Sequence, residues 1–122
     1  MAGSVHERAE DALLLRASVN IPAKVAEITA RIPRGKGMAG LAWERDQCVA
    51  TCNLKGDRTG DVRPGARAVD ARGAIAIPVR SAGGDLRAVV GVAFPDERDF
   101  DEEALKRFEE AAATLPEIDA RP

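Results

Sequence analysis

The feature that most constrains this chain is a glycine-rich stretch at residues 32–46, which reads IPRGKGMAGLAWERD. Three glycines, Gly35, Gly37 and Gly40, stand within six residues and directly follow an alternation of apolar and polar residues. After them, apolar side chains beginning at Met38 recur at the spacing of one helix face. The pattern therefore predicts a strand that ends in a tight turn and passes into a short helix.

These glycines also match the G-x-G-x-x-G fingerprint of dinucleotide-binding folds, which likewise lies between a strand and a helix. Three observations count against that function. The helix that follows is short, the rest of the chain reads as antiparallel strands, and 122 residues are too few for a doubly wound parallel sheet. We therefore interpret the glycines as positions that allow tight backbone turning and close packing of a helix on a sheet, and we expect no cofactor.

The length and composition indicate a single globular domain with a modest core. A chain of 122 residues buries roughly two thirds of the surface that it exposes when unfolded. Apolar residues make up 45% and charged residues 31%, which is typical of a folded rather than a disordered chain. Because the chain has three Phe, one Trp and no Tyr, the core is expected to consist mainly of Ala, Val, Leu and Ile.

The charge distribution argues against binding to nucleic acids or membranes. The net charge is -2, and basic residues are interleaved with acidic ones instead of forming one basic face. No apolar window of about eighteen residues and no signal-peptide pattern occurs. Two cysteines are too few for the disulfide framework of a small secreted domain. We therefore expect a cytoplasmic protein that contacts neither nucleic acid nor membrane.

The first part of the chain predicts two strands after an irregular start. Residues 1–10 are polar without a clear period, so we expect a flexible N-terminus, a folded domain at residues 11–115 and a tail at residues 116–122. Residues 11–18 (DALLLRAS) form a short apolar run that predicts a buried strand. Residues 23–33 alternate in their second half, which predicts a half-buried strand leading into the glycines.

The middle of the chain predicts one short strand and a long irregular segment. Residues 47–53 (QCVATCN) suit a strand in which Cys48 and Cys52 point to the same face. Residues 54–72 carry three glycines and a proline without any period. A segment of this length is above the usual range for a loop, so we expect it to be functional or mobile.

The final third predicts a hairpin followed by an amphipathic helix. Gly73–Arg80 and Leu86–Phe94 read as strands, and the turn-forming residues between them make antiparallel pairing the expected arrangement. Residues 99–115 place apolar side chains on one helical stripe, and Asp99 with Glu102 match a capping pair at its start. The fold class is thus α+β, with a central antiparallel sheet and flanking helices.

Taken in order, these segments resemble the GAF domain, a small-molecule-sensing fold related to PAS domains. IPRGKGMAGLAWERD is similar to the family's I-P-x-G-x-G-x-x-G motif and following helix, GAIAIPV to its S-x-x-x-x-P-L strand, and RAVVGVAF to its G-x-x-x-G-V-L strand. The helix at residues 99–115 falls where the family has its C-terminal helix. The resemblance covers residues 11–115.

The chain departs from the family at its N-terminus. Such domains begin with a longer helix and a first strand, whereas only ten residues precede DALLLRAS. Either the sheet is one strand short, or the chain continues the sheet of a partner, or it is a piece of a larger protein. An uncovered sheet edge or helix-docking face favours self-association, so we expect a homodimer or a partner protein.

The resemblance implies a pocket between one sheet face and a cover formed by the helix after the glycines and residues 54–72. The side chains that it indicates as ligand contacts are Met38, Trp43, Cys52, Asp70, Arg72 and Ile75. Simpler interpretations stay open for four of them. Met38 and Trp43 also suit a core position on a helix. Asp70 and Arg72 also suit exposed ion pairs.

Stand-alone proteins of this type include the free methionine-(R)-sulfoxide reductases, whose chemistry needs a thiolate and a second thiol that captures the sulfenic acid. That family has one cysteine between the second and third glycines and another shortly before the P-L strand. Here Met38 and Ala39 occupy the first location, and residues 64–73 hold no cysteine. The resemblance therefore argues against this activity.

The two cysteines of this chain suit a structural role better than a catalytic one. Cys48 and Cys52 have a C-x-x-x-C spacing, which is not the thioredoxin type, and free cysteine is among the most buried residue types. A zinc site would need two further ligands, and the only histidine, His6, lies in the expected flexible start. We therefore expect no metal and no catalytic residue.

Three functions are compatible with these observations. The first is a non-catalytic sensory or regulatory module that binds a small cytoplasmic ligand and signals through a partner or self-association. The second is a ligand-free dimerisation scaffold of the same fold. The third is a thiol-based redox sensor or methionine-sulfoxide-reductase-like enzyme that uses Cys48 or Cys52. Nothing in the sequence identifies the ligand.

Overall fold

The computed structural model describes residues 2–51, 73–96 and 100–114. Within these ranges the backbone forms six strands and three helices. In chain order they are β1 (Ala2–Ala9), β2 (Ala12–Val19), α1 (Ala23–Ile28), β3 (Arg31–Pro33), α2 (Gly37–Arg45), β4 (Val49–Thr51), β5 (Gly73–Arg80), β6 (Leu86–Phe94) and α3 (Glu102–Ala113). None of the helices in these ranges is long and apolar enough to cross a membrane.

The six strands form one antiparallel sheet in the order β3-β2-β1-β6-β5-β4, which confirms the predicted α+β class. Helices α2 and α3 pack on opposite faces of this sheet, as strand β5 shows. Its Ala76 lies in the apolar cluster beside α2, whereas Ile75 and Ile77 point the other way, into the cluster beside α3. Both faces of β5 are therefore covered, and seven of its eight residues are buried.

The N-terminal residues are an integral part of the sheet. The expected flexible start is wrong for residues 2–9, because they form β1, which pairs with β2 on one side and β6 on the other. A tight turn joins β1 to β2, with Glu10 in the left-handed region at φ 54°. Strand β1 thus supplies the strand before β2 that the resemblance put in doubt, and the described residues contain no helix ahead of it.

Residues 23–33 contain a helix as well as the predicted strand. Helix α1 ends at Ile28, and only Arg31–Pro33 forms a strand, β3, which pairs with β2. Val25 and Ile28 are three residues apart, a spacing that fits one face of a helix. Pro22 directly before α1 is compatible with a helix start, since the first turn needs no N–H donor there. The strand prediction therefore holds only for the last three residues.

The hairpin of the final third is confirmed with the predicted bounds. Strands β5 and β6 pair in antiparallel register from Gly73 opposite Phe94 onwards. In the turn between them, the Ser81 N–H donates to the carbonyl oxygen of Asp85 at 2.7 Å. The strand predicted at residues 47–53 is confirmed for Val49–Thr51, which form β4, whereas residues 52 and 53 lie outside the described ranges. Residues 54–72, for which the sequence predicts an irregular segment, lie outside the described ranges.

Helix α3 begins later than the sequence pattern predicts. Its N-cap is Asp101, whose side chain accepts a hydrogen bond from the Ala104 N–H at 2.8 Å. The predicted capping pair of Asp99 and Glu102 is therefore wrong, because the run of acids in this region offers several carboxylates that could cap a helix. The apolar stripe of α3 does pack on the sheet, through Leu105, Phe108 and Ala112.

An aromatic cluster fixes α3 to the sheet. Phe94 ends β6, Phe100 precedes α3, and Phe108 lies on the inner face of α3. Their ring centroids are 6.0–6.3 Å apart and the rings are tilted against each other, which is a favourable arrangement for aromatic pairs. All three phenylalanines of the chain thus lie on the α3 face of the sheet, and the α2 face has none.

Candidate functional site

The glycine-rich loop brings the start of α2 onto β3. Gly35 and Gly37 have φ angles of 81° and 65°, in the left-handed region that favours glycine. Gly40 lies so close to β3 that a Cβ atom there would stand 2.5 Å from the carbonyl oxygen of Pro33. The Gly35 N–H also donates to the carbonyl oxygen of Gly40 at 2.9 Å. The glycines therefore shape the backbone, as the sequence indicates, and hold α2 against the sheet.

A cavity of about 160 Å³ lies between the sheet and the helices α1 and α2. Its floor comes from β1, β5 and β6, and its walls come from α1 with the residues beside it, from β3 and from the first turn of α2. The lining residues are Ala2, Gly3, Ser4, His6, Ile21, Val25, Ile28, Thr29, Ile32, Gly37, Met38, Ala39, Ala74, Ile75, Ala76, Gly91, Val92 and Ala93. Helix α1, which sequence reasoning missed, thus forms much of the cover.

The cavity exists because the floor is made of small residues. Adjacent strands place Ser4, Gly91 and Ala76 in one row across the sheet, and the row beside it is made of alanines from the same strands. These side chains are too short to fill the space below α1 and α2. On the opposite face, β5 carries Ile75 and Ile77, which pack tightly against the side of α3. The two faces of one sheet therefore differ in how fully they are filled.

His6 is the buried polar side chain of this cavity. It is 3% exposed, and its Nε2 donates a hydrogen bond to the carbonyl oxygen of Thr29 at 2.8 Å, which ties β1 to the end of α1. Burial lowers the pKa of His6 below its ordinary value, and the hydrogen bond to Thr29 only partly opposes that effect. The imidazole is therefore neutral at pH 7.

Sequence reasoning missed His6 because it placed residues 1–10 outside the fold. The available signal was weak: two residues, Glu10 and Asp11, separate AGSVHERA from the apolar run that follows, as in a hairpin. The strand itself shows no apolar alternation, since its cavity-facing residues are small or polar. Only the pairing with β6, more than eighty residues further along the chain, makes β1 a central strand.

The structure brings one of the predicted ligand-contact side chains, Met38, to the cavity. Ile75 also borders the cavity, but its side chain points to the opposite face of the sheet, into the cluster beside α3. Trp43 does not line the cavity; it is 8% exposed in the core cluster beside α2, with the guanidinium carbons of Arg8 and Arg34 at 5.1 and 5.6 Å from its ring centroid. The three remaining candidates, Cys52, Asp70 and Arg72, lie outside the described residues.

Cys48 lies apart from the cavity, on the α3 side of the sheet. Its Sγ donates a hydrogen bond to Oε1 of Glu109 at 3.3 Å. Burial, followed by that hydrogen bond and the charge of Glu109, raises the pKa of the thiol to about 12. Within the described ranges, no group of three His, Cys, Asp or Glu side chains is placed to hold a metal ion.

Solved structures with the same fold match the chain over most of its length. The free methionine-R-sulfoxide reductase from Neisseria meningitidis, in complex with its substrate, is 23% identical with a TM-score of 0.72 over 91% of this chain and 62% of that one. The GAF domain from a phosphoenolpyruvate-protein phosphotransferase of Coxiella burnetii is 21% identical with a TM-score of 0.72, over 91% and 66%. The type II free methionine-R-sulfoxide reductase from Thermoplasma acidophilum is 18% identical with a TM-score of 0.71, over 91% and 72%.

These likenesses concern the fold alone, because all three identities are low. The chain also spans less than two thirds of the length of the Neisseria reductase. No curated protein matches the chain. The sequence model of the GAF domain, however, matches residues 2–115, which include all six strands and all three helices described above. The chain therefore belongs to the GAF domain family.

Proposed function

We propose that this chain is a non-catalytic sensory module that binds a small cytoplasmic ligand in the cavity and passes its occupancy to a partner or to a second copy. One observation carries the proposal: an apolar cavity of about 160 Å³ lies between a floor of small residues and two helices. Concave, mostly apolar sites with a few placed polar groups are where small ligands bind in proteins. The family is one of small-molecule sensors, which supports the same function.

The volume of the cavity indicates the size of the ligand group that it can bury. An engineered protein cavity of about 150 Å³ is known to accept benzene. A cavity of about 160 Å³ therefore suits a molecule of about the size of one small ring, and not a dinucleotide. This agrees with the interpretation of the three glycines as shaping residues.

Two observations support a role without thiol chemistry. The thiolate is the reactive form of cysteine, and the Cys48 thiol, with its pKa raised to about 12, stays protonated at neutral pH. Met38 and Ala39, at the start of α2, stand where the reductases resembled by this chain would place a cysteine. A redox activity through Cys48 would have to overcome both its burial and the neighbouring carboxylate of Glu109.

Filling the cavity is expected to abolish ligand binding. Ala93 lies on the floor between Ala2 and Ala74, so Ala93→Leu adds three carbon atoms to the space that a ligand would occupy. A ligand at 100 times its Kd stabilises a protein by about 2.7 kcal/mol, which raises Tm by several degrees. A thermal-shift screen of small metabolites should therefore give hits that stabilise the wild type and leave the Tm of Ala93→Leu unchanged.

The matched control is Ala50→Leu, the same chemical change at an exposed position of β4 that does not line the cavity. This variant should respond to the hits as the wild type does. Compounds that stabilise Ala93→Leu and the wild type equally would bind elsewhere and would overturn the cavity as the ligand site. A screen without any hit would favour the second function, a ligand-free scaffold.

One sheet face supports signalling through a second copy of the chain. On the face that carries α3, β1 and β2 present Val5, Leu14, Ala17 and Val19, of which Val19 is 63% exposed. Exposed contiguous apolar surface commonly marks an interaction site. Val19→Glu should therefore lower the molar mass in light scattering from that of a dimer to that of a monomer, and the monomer should stay folded because Val19 is 63% exposed within one chain. A wild-type chain that stays monomeric at high concentration would contradict this route.

A further inference from the structure

The polar groups of the cavity are few, and one of them is buried more deeply than the rest. His6 lies on β1 with 3% of its surface exposed, and it lines the cavity beside the small residues of the floor. None of the described residues that line the cavity has a charged side chain at neutral pH, because the histidine is uncharged there. A charged ligand would find no opposite charge among these residues, so the lining favours a neutral ligand.

The two ring nitrogens of His6 have different hydrogen-bonding roles. The carbonyl oxygen of Thr29 can only accept a hydrogen bond, so the Nε2 that lies 2.8 Å from it must carry the proton. In a neutral imidazole the other nitrogen, Nδ1, is then an acceptor. No described residue donates a hydrogen bond to Nδ1. Every side-chain nitrogen or oxygen that is fully buried in the described ranges has a hydrogen-bond partner. Since Nδ1 has no such partner, it is not fully enclosed. The open space that His6 lines is the cavity.

The other polar side chains of the lining are less selective. The Thr29 hydroxyl already donates to the carbonyl oxygen of Val25 at 2.9 Å. The Ser4 hydroxyl can donate or accept and can rotate, so it accommodates ligand groups of either kind. His6, in contrast, is fixed by Thr29 and presents an acceptor only. A fixed acceptor in an apolar cavity discriminates strongly, because a ligand without a matching donor leaves it unpaired.

We propose that His6 is the specificity-determining residue of this cavity: its Nδ1 accepts a hydrogen bond from the ligand, which is a small, mostly apolar, neutral molecule with one hydroxyl or N–H donor. The inference rests on the proposed function, since it assumes that the cavity binds a ligand. It adds the chemical class of that ligand and the atom that recognises it.

Phenol and toluene are suitable probes, because they have nearly the same size and differ only in a hydroxyl or a methyl group. Both match a cavity that suits a single ring. Without a partner for the hydroxyl, burial of phenol is disfavoured and toluene should bind more tightly. With Nδ1 as the partner, the wild type should bind phenol at least as tightly as toluene. Affinities can be measured by titration with NMR detection at pH 7.

The decisive variant is His6→Leu, compared with Ser4→Ala on the same strand and the same face. In His6→Leu the ratio of toluene to phenol affinity should rise by about tenfold relative to the wild type. In Ser4→Ala this ratio should change less than in His6→Leu, because the Ser4 hydroxyl pairs with donors and acceptors alike. A change of the ratio in Ser4→Ala but not in His6→Leu would assign recognition to Ser4 and overturn the inference.

Failure of the inference and failure of the proposed function give different results. If wild type and His6→Leu bind both probes with the same preference, the cavity binds ligands but His6 does not select them. If the wild type binds benzoate more tightly than phenol, the ligand class is anionic and the inference is wrong. If no probe binds to the wild type, both the cavity as a ligand site and the role of His6 are overturned.

A second measurement needs no variant, which matters because His6→Leu also removes the hydrogen bond to Thr29. His6 is the only histidine of the chain, so its imidazole nitrogen resonances can be assigned without ambiguity. Addition of phenol to the wild type should shift the Nδ1 resonance as expected for a new hydrogen bond, and toluene should not. An Nδ1 resonance that stays unchanged at saturating phenol would overturn the inference.

Discussion

Gly40→Ala is expected to destabilise the protein by about 3 kcal/mol, because the new methyl group would meet backbone atoms that have little freedom to move. The Cβ atom would stand 2.5 Å from the carbonyl oxygen of Pro33 and 3.1 Å from the nitrogen of Gly35. Alanine favours a helix over glycine by about 1 kcal/mol, which does not offset this overlap. Since small proteins are stable by only about 5–15 kcal/mol, urea unfolding should detect the loss readily.

The matched control for this variant is Gly83→Ala, in the turn between β5 and β6. A Cβ atom there would find its nearest neighbour at 3.9 Å, and the backbone of Gly83 is not in the left-handed region. Its free energy of unfolding should differ from that of the wild type by about 0.5 kcal/mol or less. Equal stability of Gly40→Ala and Gly83→Ala would mean that α2 is not held against β3 by this close contact.

Phe108→Ala is expected to cost about 3 kcal/mol of stability, at the low end for a phenylalanine because the residue is only half-buried. The Phe108 ring lies 6.0 Å from the rings of both Phe94 and Phe100, so its removal leaves an unfilled space between α3 and the sheet. Thermal unfolding should show a lower Tm, and hydrogen exchange should show faster exchange in α3.

Lys106→Ala, at an exposed position of the same helix, serves as the comparison. It removes a long side chain from α3 without changing its packing on the sheet, so its stability should stay within about 0.5 kcal/mol of the wild type. If both variants lose the same stability, the effect of Phe108→Ala would come from the helix itself and not from the aromatic cluster.

The sequence is sufficient to predict those parts of the fold that depend on local patterns. Strands β5 and β6 alternate or run apolar on both sides of a turn-forming group, so their pairing follows from neighbours in the chain. The ordered glycine motif, hairpin and C-terminal helix also lead to the GAF family, which is confirmed. The roles of Gly35, Gly37 and Gly40 follow from their number and spacing.

The parts of the fold and of the site that the sequence did not reveal depend on pairing between strands that are far apart in the chain, or on space that small side chains leave unfilled. Strand β1 is central because β6 pairs with it, and nothing in AGSVHERA signals that partner. Helix α1 is short enough for its apolar spacing to suit a strand as well. The cavity results from the small volume of the floor side chains. It can be recognised only once the packing of helices α1 and α2 over the sheet is known.

In the floor of small residues, the pairing of the strands and the size of the cavity depend on different atoms. The hydrogen-bond ladder of β1, β6 and β5 uses backbone atoms, whereas the dimensions of the cavity are set by the side chains of Ser4, Ala76, Gly91 and Ala93. Exchange of one such side chain for a larger or smaller one alters the space above the sheet without altering the ladder. Ligand size is therefore an adjustable property of this architecture, one that protein engineering could tune on an unchanged backbone.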